Sequence, residues 1–268
     1  MIRRLTTTDR TAALTLLAAA PQFNLYVMGN LETLGFDQPF CEFWGDEVVA
    51  ADGTPRLRAV LNRYMSGWVV YGTPDTDWAG LGRVLDTHAT GAIRLQDNPG
   101  GVASFLPYLQ KYQSSQLIIE ELMELSSENF RPAAPPGQVI IRRGTLADVA
   151  ALTDLYHEAG EMRRTSATIV RPLQDTRLWL AEAAGTVLAA ALTNAETGGM
   201  AMIGGVFTRP TARGRGLSQA ICSALCAELL AVGKQPVLYW INPAAGTVYR
   251  KLGFRQIGSW RAVRLQAI

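Results

Sequence analysis

Apolar positions in the second half of the chain alternate between two periods. From Leu217 they recur at Ile221, Ala224, Leu225 and Leu229, one face of a helix that Gly233 ends. Leu152, Leu155 and Tyr156 share a face of a helix expected over 148–159, with Thr145 as its N-cap. Between these helices, 177–183, 187–194 and 200–208 read as strands, turned at Gly185 and at Gly198-Gly199. "PVLYWI" predicts a strand over 236–241. Asn242-Pro243 then starts a helix that reaches Leu252 and stops at Gly253, and a strand pair is expected over 254–265. With a short strand over 139–142, the order is β-α-β-β-β-α-β-α-β.

The first half follows that order less clearly. Strands are expected over 2–5, 40–51, 57–64, 67–72, 92–96 and 115–125. Helices are expected over 9–20, through "NLYVMGNLETLG", over 78–88 and over 100–111. The two halves also open alike. Ile2, Arg3, Arg4, Thr6, Asp9 and Ala12 align without a gap on Ile141, Arg142, Arg143, Thr145, Asp148 and Ala151. Just before the second copy, "SSENFRPAAPPGQ" carries three prolines and few large apolar residues, so it reads as a linker. We therefore expect a domain over 1–125, a linker over 126–138 and a second domain over 139–268.

Composition narrows the picture. At 268 residues, 48% hydrophobic and 18% charged, each half can bury an ordinary core. A net charge of +2 lacks the basic excess that a nucleic-acid or membrane-surface partner wants. Cys41, Cys222 and Cys226 form no CxxC, and only His88 and His157 stand beside them, so no metal site is expected. No apolar run reaches the ~18–20 residues of a membrane span, and "MIRRLTTTDR" lacks the apolar stretch of a signal peptide. The expectation is a cytoplasmic protein, monomer or homodimer.

The segment "VFTRPTARGRGLSQA" carries the candidate chemistry. A strand ends, a glycine-rich basic loop follows, and a helix begins at Leu217. Free amides and the dipole at a helix start attract anions, Gly214 and Gly216 let a ligand approach the backbone, and Arg213 and Arg215 add positive charge. A di- or polyphosphate suits such a site, yet neither GxxxxGK[ST] nor GxGxxG is present. Arg213-x-x-Gly216-x-Ser218 after Pro210 resembles the acetyl-CoA loop of the GCN5-related N-acetyltransferase (GNAT) superfamily, with Ser218 where a glycine or alanine is usual. "NPAAGTVYRKLGF" resembles the second signature of that superfamily. Asn242, Ala245 and Tyr249 stand there at i, i+3 and i+7 on one helix face.

The resemblance covers 139–265 well and 1–125 only as a degenerate copy. At the place of the loop the first half reads "YGTPDTDWAG", whose Asp75 and Asp77 would repel a pyrophosphate. What it implies is an α/β (α+β) class: two GNAT-fold domains, each a mixed, mostly antiparallel central sheet flanked by helices. It implies acetyl-CoA as cofactor and transfer of its acetyl group to the amine of a small molecule by direct attack on the thioester. Val206, Phe207 and Thr208 would hold the pantetheine arm at a bulge around Gly204-Gly205. Arg213, Gly214, Arg215, Gly216, Leu217 and Ser218 would hold the pyrophosphate, with Asn242 and Ala245 beside the cofactor.

Tyr249 is the expected acid. An alkyl ammonium must lose a proton at a pKa of roughly 10, and a leaving thiolate of roughly 8.5 gains from a donor. Glu161, Glu182 and Glu196 are candidates for the base. Plainer roles stand beside these: Tyr249 as helix packing, Asn242 as an N-cap, Arg213 and Arg215 as a solvated turn. Trp179 and Trp240 are expected in the core, with Trp240 also weighed as a wall of the acceptor cavity. The Asn24–Glu32 helix is weighed as part of an acceptor cleft between the domains. The rival functions are a non-catalytic acyl-CoA sensor and an enzyme like the mycothiol synthases.

Overall fold

The computed structural model describes residues 1–97 and 101–268. The chain divides into two compact units. One is Met1–Glu121 with Gly258–Ile268, the other Leu122–Ile257.

The first unit runs β1 (Ile2–Arg4), α1 (Arg10–Leu17), α2 (Pro21–Thr33), β2 (Cys41–Val49), β3 (Pro55–Tyr64), β4 (Gly67–Gly72), α3 (Trp78–His88), β5 (Ile93–Asp97) and α4 (Gly101–Phe105). It also takes most of β6 (Tyr112–Glu124). Its strands β1 to β5 lie side by side in chain order. Neighbours are antiparallel except β4 and β5, which are parallel. On the far side of β5 lies the end of the chain, Arg261–Leu265 pairing antiparallel with Ile93–Asp97. Trp260, Val263 and Leu265 are buried there. Position 100, where a helix over 100–111 was expected, lies outside the described residues. From Gly101 the helix lasts five residues and tightens to a 3₁₀ turn, Leu106–Tyr108, with Pro107 inside it.

The second unit runs β7 (Ile140–Arg143), α5 (Val149–His157), α6 (Ser166–Gln174), β8 (Leu178–Ala183), β9 (Thr186–Glu196), β10 (Met200–Thr208), α7 (Leu217–Ala231), β11 (Gln235–Trp240) and α8 (Pro243–Leu252). The strand order is β11-β10-β9-β8-β7, antiparallel except for β10 and β11. One layer of the core packs α7 against Ala189, Ala191, Ala201 and Ile203. The other packs Leu152, Leu155 and Tyr156 of α5 against Leu178, Leu180, Ala190 and Leu192. The strand pair expected over 254–265 is instead one strand, β12 (Arg255–Ala267). Sequence pattern did not show α6: only Ile169 and Pro172 of it are buried, too few for a periodic stripe.

The repeated opening has a local structural meaning. Arg142 donates to both carboxylate oxygens of Asp148, at 2.9 and 2.7 Å, while the Thr145 amide donates to Asp148 Oδ2 at 2.8 Å. In the first unit Arg3, Asp9 and Thr6 make the same bonds at 2.9, 2.7 and 2.8 Å. Each set ties a first strand to the start of its first helix by a bidentate ion pair and a capping box.

No helix among the described residues is long and apolar enough to cross a membrane. The three cysteines are free and buried.

Candidate active site

The site grows from the end of β10. Its parallel pairing with β11 runs from Met200↔Gln235 to Ile203↔Leu238 and stops, although β10 continues to Thr208 and β11 to Trp240. The two strands therefore part, and the inner edge of β10 beyond Ile203 is left without a strand partner. On its other side β10 slips register against β9 between Gly204 and Phe207, a bulge at the expected place. Gly205 adopts φ +57°, left-handed backbone that favours glycine. The buried Tyr156 donates its hydroxyl proton to the Gly205 carbonyl at 2.5 Å. A trans peptide sets N–H opposite C=O, so this bond also turns the Val206 amide away from Tyr156.

Past Thr208 the chain makes a 3₁₀ turn, Pro210–Ala212, then enters α7 through Gly214 at φ +76° and Gly216 at φ +77°. A side chain at either glycine would meet open space, so backbone conformation and not crowding requires them. Gly216 is the N-cap and offers no side chain to the helix. The first helical bond runs from Ala220 N–H to Gly216 O at 3.1 Å. Among the described residues, no protein acceptor meets the amides from Gly214 to Gln219. That run of donors at a positive helix end is a ready seat for an anion.

The corresponding helix start in the first unit is filled. Asp77 Oδ1 caps α3 by accepting from Gly80 N–H at 2.8 Å, and Asp46 Oδ2 accepts from Asp77 N–H at 2.8 Å.

A cleft of about 760 Å³ extends from the α7 end, within the size range of small-ligand sites. Of the residues singled out in the sequence, Val206, Phe207, Thr208, Arg213, Gly214, Gly216, Leu217, Ser218, Asn242, Ala245 and Tyr249 line it. Arg215 is exposed and outside the lining. Thr208 and Ser218 hydroxyls meet at 2.8 Å. Arg213 lies 5.9 Å over the Phe207 ring, and its Nε donates to Thr208 O at 3.3 Å. Asn242 caps α8, its Oδ1 accepting from Ala244 N–H at 3.0 Å. Tyr249 is buried, packs edge-on against Phe254, and its hydroxyl has no protein partner among the described residues. Burial pushes its proton affinity well above that of an ordinary phenol.

The carboxylates weighed as bases lie elsewhere. Glu182 pairs with Arg142 at 2.6 Å and Glu161 is exposed, both outside the lining. Burial raises the pKa of Glu196, but bonds from Lys234, Arg177 and Thr193 outweigh it and hold the carboxyl below its usual range. Trp240 is in the core, donating to Met123 Sδ at 3.1 Å, and is no wall of the cleft. The polar residues of α2 serve the first unit internally: Asn24 donates to Leu17 O at 2.8 Å and Asn30 to Asn62 Oδ1 at 2.9 Å. Sequence reading missed Glu158, Ala159, Gly160 and Met162, which follow α5 and line the cleft, and Lys251 at the end of α8. Gly160 and Met162 belong to the irregular stretch between α5 and α6, whose position the packing of those helices sets, while Glu158, Ala159 and Lys251 stand at helix ends, where the period does not say what they face.

Comparison with known proteins finds a family match over part of the chain. The FR47-like protein family model matches residues 182–265, which include the β10–α7 loop and α8. That stretch is similar to the FR47-like family, and the chain as a whole has the fold of GNAT proteins, a tandem GNAT protein among them. Serotonin N-acetyltransferase 2, chloroplastic, of Oryza sativa subsp. japonica is 28% identical over 126 residues; that match covers 45% of this chain and 63% of the relative. A GCN5-related N-acetyltransferase from Sphaerobacter thermophilus superposes with TM-score 0.70 at 20% identity, covering 100% of this chain and 95% of that one. A tandem GNAT protein from the clavulanic acid biosynthesis pathway gives TM-score 0.65 at 15% identity, covering 100% and 98%. At those identities the structures speak to the fold, which is GNAT in architecture along the whole chain.

Proposed function

We propose that this protein is an acetyl-CoA-dependent N-acetyltransferase for a small-molecule amine, with its site in the second unit. The observation that carries the reading is the unpartnered amide run from Gly214 to Gln219, opening into a cleft beside the parted strands β10 and β11. These features fit coenzyme A: donors and positive potential for the phosphates, and a free strand edge for an extended, amide-bearing arm. Gly214, Gly216, Leu217 and Ser218 would hold the phosphates with Arg213 beside them. Val206, Phe207 and Thr208 would hold the arm by their backbone, with Asn242 and Ala245 across the cleft. When bound, acetyl-CoA supplies an acetyl group activated as a thioester.

The chain's own residues then have two tasks. Tyr156 fixes the bulge and, through it, the direction of the Val206 amide, a donor suited to a carbonyl that gains negative charge. Tyr249 keeps its proton through the working pH range and presents it from the cleft wall to the departing sulfur.

A second reading has one observation in its favour. Glu158, the carboxylate among the cleft-lining residues, is paired with Arg209. A cleft without a free base suits an acyl-CoA sensor as well as an enzyme that takes its amine already neutral. Calorimetry with acetyl-CoA, followed by a thiol-release assay across an amine panel, separates the two. The enzyme releases thiol with at least one amine, and Tyr249→Phe lowers kcat by roughly 100-fold while leaving acetyl-CoA affinity unchanged. Binding with no turnover on any amine would favour the sensor. Gly216→Glu puts a negative charge on the amide seat and strains φ, and should weaken acetyl-CoA binding by more than about 100-fold. Unchanged affinity in that variant would remove the basis of both readings.

A further inference from the structure

Arg164 stands between the cleft-lining loop and α6, and its surroundings are odd for an arginine. Its Nη2 donates to Asn194 Oδ1 at 3.0 Å, and its guanidinium lies 5.5 Å from the centre of the Tyr156 ring. Both neighbours touch the bulge of β10. Tyr156 bonds the Gly205 carbonyl, and Asn194 packs so closely on Gly204 that a Cβ there would meet its Nδ2 at 2.0 Å. The guanidinium is thus mounted over the bulge, at the opposite end of β10's tail from the phosphate seat. Ala159, Gly160 and Met162, just before it in sequence, line the cleft.

No carboxylate lies within ion-pair distance of Arg164 among the described residues, and its Nε is sealed from water without an acceptor. A partly buried guanidinium held by a neutral amide and an aromatic face, with its Nε buried and unpartnered, is placed to receive an anion.

The geometry points to Arg164 as the anchor for a carboxylate on the acceptor, so that the preferred substrates are amines that also carry a carboxylate, amino acids and their kin. This deepens the transferase reading and rests on it. A guanidinium fork matches one carboxylate in charge and in two-pronged shape. A phosphate monoester, with about −1.5 to −2 charge, would call for a second cation. Arg164, Gly204 and Gly205 lie outside the cleft lining, but Gly205 adjoins Val206, which lines it, so a carboxylate seated on Arg164 would place the acceptor's amine beside that end of the cleft, where the acetyl group is expected.

The test uses the full chain, acetyl-CoA and matched acceptors: α-amino acids, their carboxamides and their decarboxylated amines, with tryptophan, tryptophanamide and tryptamine as one set. The expected result is a kcat/KM at least about 100-fold higher for the acid than for its two neutral partners. Arg164→Gln should raise KM for the acid by about 100-fold, with kcat changed far less, and leave KM for the amide and the acetyl-CoA dissociation constant as they were. Arg164→Lys, which keeps charge but not the fork, should recover part of the loss. Unchanged acetyl-CoA affinity by calorimetry shows that each variant is folded. Equal use of acids and neutral amines by the natural sequence, or an equal loss on both in Arg164→Gln, overturns the inference while the transferase reading stands. Preference for tryptamine and its like, the class named by the serotonin N-acetyltransferase relative, overturns it too. Failure of the natural sequence to bind acetyl-CoA would sink the transferase reading itself.

Discussion

Asp9 and Asp148 each sit in the grip of an arginine, and that grip sets their affinity for protons. Hydrogen bonds from Arg3 and Arg142 come first, then backbone bonds from Thr6 and Thr145; against the opposing effect of burial they hold both carboxyls at about 2, from a usual 3.8. The folded value lies below the unfolded one. Each carboxylate therefore stabilises its unit fully above about pH 4, and loses that contribution as pH falls toward 2. The size is about 2 kcal/mol per site. Urea unfolding followed across this window should show stability falling with pH, and Asp148→Asn should flatten the fall for the second unit while lowering stability at pH 7. A variant with the original slope would mean that Asp148 is not the titrating group. The Arg-x-x-Thr-x-x-Asp spacing was visible in the sequence because every partner lies within six residues. The fourth member of each cluster, Glu47 or Glu182, comes from a strand some 40 residues away and was not.

At the scale of elements, two helices with the same place in their units meet anions differently. The start of α3 is closed by its own Asp77 and by Asp46, whereas the start of α7 is capped by a glycine and leaves its amides open. A second negative group at α3 would meet two carboxylates at close range. We therefore expect one acetyl-CoA per chain, measured as a calorimetric stoichiometry near one, with no second site at high ligand. Two equivalent sites would contradict this account of α3. The sequence already opposed Asp75 and Asp77 to a phosphate, but Asp77's role as cap and the part of Asp46, from β2, needed the fold. The helix α6 shows the converse limit. It carries Pro172 inside and buries little, so no local pattern marks it, and its position depends on packing beside α5.

At the scale of the whole molecule, the compact units do not follow the order of the chain. Residues 258–268 belong to the first unit, where Val263 and Leu265 are buried with Leu95, Val102 and Phe105. Leu265→Ala should cost about 2–5 kcal/mol of the first unit's stability. Hydrogen exchange should then quicken in β2 to β5 far more than in β8 to β10. Equal quickening in both sets would mean that this strand end supports the two units alike.

What the sequence determined by itself were the features whose partners are near in the chain: the helical and strand periods, the repeated opening with its Thr145 cap, the glycine turn into α7 and the Asn242–Tyr249 face. Such contacts repeat at fixed short spacings, so pattern alone reveals them. Only the tertiary structure decided where β10 and β11 part, that Tyr156 holds the bulge, that the amides from Gly214 onward stay unpartnered, and that Arg164 rests on Asn194 and Tyr156. Those contacts join residues far apart in the chain, and no local period records which distant groups packing will bring together.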